Sequence, residues 1–248
     1  LWWAAGAVAA LLALGGVAWF GFLRAPPAAA ASVAVLPFRN LSPDPENEFL
    51  SDGLADDVAH ALTRFAGLRV VAGASARTFR GKELDLREVG SKLNVAHVLE
   101  GHLRKSGDRI RLTVQLYRVS DGSLVWGRGY DREMAGVFAI QEEVARNIAG
   151  ELRLKPAGAR VAPRRHTENI EAYQLYLKGR YYQQRQTAEA MARSKECFDQ
   201  AIAIDPKYAL AYYGLAEFYW ASPLFATAPP KDLLVRGRTA AVKAVELD

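Results

Sequence analysis

The chain has 248 residues, 50% hydrophobic and 24% charged, with a formal net charge of +5. That balance excludes a disordered or collagen-like protein, and one cysteine, Cys197, excludes an intramolecular disulfide framework. Four scattered histidines do not make a paired-ligand zinc motif, and Lys and Arg alternate with acids, so no nucleic-acid partner is expected.

Residues 1–23 carry no charge. Trp2 and Trp3 stand at one end, Trp19, Phe20 and Phe22 at the other, and Arg24 stops the run. As a helix such a segment spans about 35 Å, enough for a hydrocarbon core of about 30 Å. The expectation is a transmembrane helix over 1–23 with a linker over 24–31, anchoring the chain in a membrane. The alternative is a secretory signal cleaved near Ala31, because Ala25–Ser32 is rich in small residues. The chain begins at Leu1, already inside the apolar run, so a preceding segment is expected.

Residues 32–154 read as an α+β domain with a mixed sheet. Val33–Phe38 is a short apolar run closed by turn-forming residues, a buried strand. Leu50, Leu54, Val58, Ala61, Leu62 and Phe65 then share one helical face, with Ser51 or Asp52 as the expected N-cap. A strand over Leu68–Ala72 makes this a β-α-β crossover. After a basic, glycine-containing loop, a short helix is expected around Leu86, Val89 and Leu93. Strands follow over Val95–Lys105, Arg109–Val119 and Ser123–Glu133, with Gly107-Asp108 and Asp121-Gly122 as the turns. Ile110, Leu112, Val114 and Leu116 alternate with Arg109, Arg111, Thr113 and Gln115, giving one wet face. Val137, Ile140, Val144, Ile148 and Leu152 place a last helix.

Residues 155–167 hold two prolines, a glycine and five basic residues, and read as a linker. From 168 to 248 the sequence is helical and aromatic-rich, and two stretches look alike. AYQLYLKGRYY and CFDQAIAIDP are followed by ALAYYGLAEFYW and AAVKAVELD.

Two resemblances follow from these residues. VAVLPFRNLSPDPENEFLSDGLADDVAHAL, GLRVVAGASARTFRGK and LNVAHVLEGHLRKSGDRIRLTVQLYRVSDGSLVWGRGYDRE, in that order, resemble the amino-terminal TolB-like domain family of bacterial envelope proteins. The resemblance implies a binding or sensing module rather than an enzyme. It also implies a single membrane helix before it, repeats after it, and an output domain further upstream: a winged-helix regulator, a kinase or a cyclase. The second half is similar to tetratricopeptide repeats, with Gly179, Tyr182, Phe198, Ala201 and Pro206 fitting the first and Tyr212, Leu215, Ala216, Tyr219 and Ala244 the second. That resemblance implies a groove for a protein or peptide partner, lined by Tyr173, Tyr176, Arg180, Gln183, Gln184, Leu210, Tyr213, Glu217 and Trp220 as exposed positions. Alternatively, several of these tyrosines pack between helices.

A search for catalytic motifs finds no phosphate-binding glycine loop, no nucleophile elbow and no metalloprotease helix. The acidic run Asp44, Glu46, Glu48, Asp52, Asp56 and Asp57 is the remaining candidate; Asp52 and Asp56 share a helix face where a metal can bridge them, but helix dipole alone accounts for acids there. His97 and His102 fall on opposite faces of one strand. No catalytic, cofactor or metal residue is expected. The functional expectation is a non-enzymatic, membrane-anchored region of a bacterial inner-membrane protein. Its soluble part would lie in the periplasm, bind a protein or peptide partner through the repeats and signal across the membrane to a cytoplasmic output domain; a homodimer is a further expectation. The alternatives are a released periplasmic assembly factor and an enzyme using the acidic site.

Overall fold

The computed structural model describes residues 31–80, 85–156, 167–224 and 230–248. Strand β1 (Ser32–Val35) is buried throughout. Val33 and Val35 point into one core, Ala34 and Leu36 into a second, so both faces of the sheet are covered here. The expected strand through Phe38 is shorter than the apolar run. Pro37 has no N–H to donate, the chain leaves the ladder, and it re-pairs as the two-residue strand β2 (Arg39–Asn40).

Helix α1 (Glu48–Leu62) starts earlier than the apolar pattern indicates. A short 3₁₀ turn, Pro45–Asn47, leads into it, capped by Asp44, which accepts from the Glu46 amide at 2.8 Å. Ser51 and Asp52 are therefore interior helix residues, both buried, and neither is the N-cap. Strand β3 (Arg69–Val71) lies parallel to β1, and α1 covers the face carrying Val33, Val35 and Leu99. The return to the other side of β1 runs through α2 (Ala74–Arg77) and α3 (Leu86–Leu93), which cover the opposite face with Ala76, Phe79 and Val89.

Strands β4 (His97–Ser106), β5 (Arg109–Arg118) and β6 (Leu124–Glu133) form an antiparallel meander. The sheet order is β3-β1-β4-β5-β6, with β2 also parallel to β4. β1 and β2 thus run in sequence along one edge of β4. The alternation read from β5 holds: Ile110, Leu112, Val114 and Leu116 are buried against α1 and α4 (Val137–Glu151), while Arg109 and Arg111 are exposed.

Four helices follow: α5 (Ile170–Gln183), α6 (Ala188–Ile204), α7 (Ala209–Ala221) and α8 (Pro230–Leu247). The first two begin at side-chain caps, Asn169 accepting from the Glu171 and Ala172 amides and Thr187 from the Ala190 amide. Phe198 of α6 is fully buried between two glycines, and a Cβ at Gly179 of α5 or Gly214 of α7 would lie 2.6 or 2.5 Å from its ring. The helices are not a separate body. A Cβ at Gly53 of α1 would stand 2.5 Å from the Leu177 side chain of α5, so α1 and α5 pack at close range, and one core runs from the sheet through both.

The localisation expected from the sequence, a single-pass inner-membrane protein with a periplasmic soluble part, needs correction. Among the described residues no helix is long and apolar enough to cross a membrane. The apolar run 1–23 and its proposed membrane contact, together with most of the basic linker, lie outside the described residues.

Candidate functional site

The acidic face of α1 gathers polar contacts from several elements. Glu48, Asp52 and Asp56 are spaced by four and form one row along the helix. Arg80 donates to Glu48 at 2.6 Å and to Asp52 in a shorter bond, and Arg77 lies 3.5 Å from Asp56. From the opposite side, α5 supplies Tyr181, which donates to Glu48 at 3.0 Å, and Arg180, 4.0 Å from Asp56. Burial raises the Asp52 carboxyl above its usual range although Arg80 pulls it down, and its Oδ1 has no hydrogen-bond partner. Asp57, one residue on, accepts from the Tyr173 hydroxyl and, at 2.8 Å, from Gln141 of α4. Burial raises its carboxyl to about 6, against these two donors. Among the described residues no group of three His, Cys, Asp or Glu side chains is placed to hold a metal ion. The acidic run is thus taken up by arginines, tyrosines and an amide rather than left open as a bridged pair.

The nine groove positions separate into two sets. Tyr173 and Tyr176 are 4% exposed, whereas Tyr213 is 47% and Trp220 77% exposed. The first two are therefore not exposed as the repeat pattern implies. Tyr173 turns to Asp57 and to the Phe138 ring, 4.8 Å away, and Tyr176 packs edge-on to Tyr208 at 5.3 Å. Tyr173 is covered by α1, which packs in front of α5, whereas Tyr176 packs between helices, against Phe198 and Tyr208. Arg180 is half-buried and donates to the Tyr176 hydroxyl at 3.0 Å; Gln183 and Leu210 are half-buried and Gln184 is exposed. On α7, Tyr213 donates to Glu217 at 2.8 Å, and with Trp220 these two form an open aromatic and acidic strip. Cys197 is buried in α6.

A second feature was not anticipated. A cavity of about 380 Å³ opens beyond the carboxyl end of β1, lined in part by Phe38, Arg39, Phe79, Glu100 and His102. The available signal was spacing: Glu100 and His102 are two apart on a strand and so share a face. Only the pairing of β2 with β4 brings Arg39 opposite His102. His97, on the other face of β4, instead contacts the Ser32 carbonyl through Nδ1 at 3.3 Å.

Residues 29–147 match the family described as HilA/YgeH-like transcriptional regulator, second domain. That match takes in the whole α+β unit up to α4. Over 187 residues the chain is 34% identical to a Rhizobium meliloti protein named Putative adenylate cyclase 3, covering 75% of this chain and 32% of that protein. Over 229 residues it is 21% identical to the transcriptional regulator HilA of Salmonella typhimurium, covering 90% of this chain and 40% of the regulator. The chain thus spans about a third to two-fifths of the length of these relatives. Among solved structures, TolB from Acinetobacter baumannii aligns at a TM-score of 0.37 and 19% identity, covering 50% of this chain and 28% of TolB. A PelC dodecamer from Paraburkholderia phytofirmans aligns at 0.37 and 19%, covering 50% of this chain and 89% of that one.

Proposed function

We propose that this chain is a regulatory input region that binds a protein or peptide partner through helices α5–α8, read as two tetratricopeptide-like repeats, and passes that event to an output domain elsewhere in a longer protein. The observation that carries the reading is the open strip on α7. Tyr213, Glu217 and Trp220 share one helical face, and a tryptophan left 77% exposed beside a half-exposed tyrosine suits an interface anchor. The relatives support an input role. A similar region occurs in a transcriptional regulator and in a protein named as a cyclase, two different outputs. In the first repeat the equivalent face is covered by α1, so the partner surface is confined to α7 and its neighbours. The α+β unit then acts as the rigid body against which the repeats are held.

The test is selection of peptides from a random displayed library on the full chain, followed by measured affinities. Trp220→Ala and Tyr213→Ala are each expected to weaken the selected peptides more than about tenfold, the loss typical of a buried aromatic anchor. Leu124→Ala, an exposed site on β6, should leave them unchanged. Equal binding by the wild type and both α7 variants would remove the proposal.

A further inference from the structure

The cavity at the end of β1 lies where the chain's crossovers part. From β1 the chain passes under one face, through α1, to β3; from β3 it returns over the other face, through α2 and α3, to β4. Such divergence leaves a crevice outside the carboxyl ends of parallel strands, the place where open α/β sheets take small ligands. Here it is framed by the β1–β2 segment on one side and by Glu100 and His102 of β4 on the other.

The polar groups around it differ in how far they are satisfied. Arg80 at the rim is already held by Glu48 and Asp52. Arg39, Glu100 and His102 are not held: none has a side-chain hydrogen bond or an ion pair with any described residue. Glu100 is half-buried, and burial raises its carboxyl above the usual range while His102 and Arg39 draw it down from beyond contact distance. Arg39 is exposed and solvated, so the group with most to gain from a bound charge is the half-buried Glu100 carboxylate, with Arg39 and His102 as its nearby cations. On the sheet face that carries Glu100 and His102 the apolar wall is the buried Phe79 side chain; the Phe38 ring packs over Gly101 toward the other core.

A simple anion in this space would satisfy Arg39 but stand against Glu100 and Glu48. A simple cation would do the reverse. We infer that the cavity binds a small zwitterion of the α-amino acid class, its ammonium group on Glu100, its carboxylate on Arg39 and His102, and its side chain against Phe79. A volume of about 380 Å³ accommodates one such molecule with room for water. This site is distinct from the α7 strip and stands or falls independently of it.

The experiment is a titration of the isotope-labelled full chain, followed by the amide signals of Asn40 and Gly101, with each of the common L-amino acids at millimolar concentration. At least one is expected to move both signals saturably. Its amide-capped and N-acetylated forms, each lacking one charge, should bind at least about tenfold more weakly, as should Glu100→Gln and Arg39→Ala with the free amino acid. Both substitutions sit at side chains with no partner to lose, and an unchanged melting temperature confirms that the variants are folded. The inference is overturned if no amino acid moves the two signals, if the capped forms bind as well as the free one, if both variants bind as the wild type does, or if inorganic phosphate or ethylamine alone produces the same saturable shifts.

Discussion

The Asp57 carboxyl is enclosed by Tyr173 from α5 and Gln141 from α4, and burial raises it to about 6. Its folded value stands above the ordinary 3.8, so between about pH 4 and 6 the native chain binds more of this proton than the unfolded chain does. Its contribution to stability is therefore full below pH 4 and lost as pH rises through 6, about 2–3 kcal/mol across the window. Urea unfolding of wild type and Asp57→Asn at pH 4 and at pH 7 isolates this contribution. The variant should lose less stability than wild type on going from pH 4 to pH 7, and equal losses would refute the assignment. The neighbouring Asp52 gives a second prediction. Arg80→Ala leaves that mostly buried carboxylate without its cation, and is expected to cost about 1–2 kcal/mol by the same measurement, the lower part of the range because Arg80 is partly exposed. Arg109→Ala, which loses only an exposed pair with Asp131, should leave the unfolding midpoint unchanged.

At the scale of elements, Phe198 is the piece on which α5, α6 and α7 close. Truncating it to alanine opens a cavity that the two flanking glycines cannot fill, so Phe198→Ala should cost about 3–5 kcal/mol. Gly214→Ala should also destabilise, by about 1–3 kcal/mol, because its new methyl meets the ring and the gain in helix propensity is smaller than the overlap. Thermal melts of both variants check this, and a Gly214→Ala chain as stable as wild type would show that the ring can move aside. Elements of this kind were legible because their signals are local. The β5 alternation, the Gly107 and Gly122 turns and the α4 apolar stripe each depend on a few adjacent residues, and each appears where the pattern puts it. Boundaries that turn on a single proline or cap were not. The apolar run after Ser32 cannot tell that the chain leaves the ladder at Pro37 and resumes at Arg39, and α1 starts at Glu48 because the Asp44 cap winds the preceding turn. Tyr173 and Tyr176 have the spacing of groove residues, but spacing on α5 carries no information about α1, some 120 residues earlier in the chain, which covers Tyr173, or about Phe198 and Tyr208, which enclose Tyr176. The Arg39, Glu100 and His102 cavity was illegible for the same reason, since its residues meet only through strand pairing.

For the molecule as a whole, the question is whether the sheet unit and the helices unfold together. A shared core through α1 and α5, Gly53 against Leu177, and the bonds of Asp57 and Glu48 to α5 all argue that they do. If so, the slowest-exchanging amides of α1 and of α5 should open with the same free energy in native-state hydrogen exchange, although they belong to different sequence regions. Gly53→Ala is the discriminating variant. Its methyl overlaps the Leu177 side chain, which is itself buried and has little room to turn, so the α1–α5 contact must widen. Exchange in α5 and α6 should then accelerate by about tenfold or more, equivalent to about 1.4 kcal/mol. The β4–β5 ladder is anchored on the other side of α1 by α4 and the sheet, and should slow or hold its exchange relative to α5. Coupling through α1 is the route that the proposed binding on the α7 strip would need to reach the sheet unit. An exchange profile in which α5 keeps its protection after Gly53→Ala would mean that the helices hold themselves together, and that the polar row on α1 only decorates their contact.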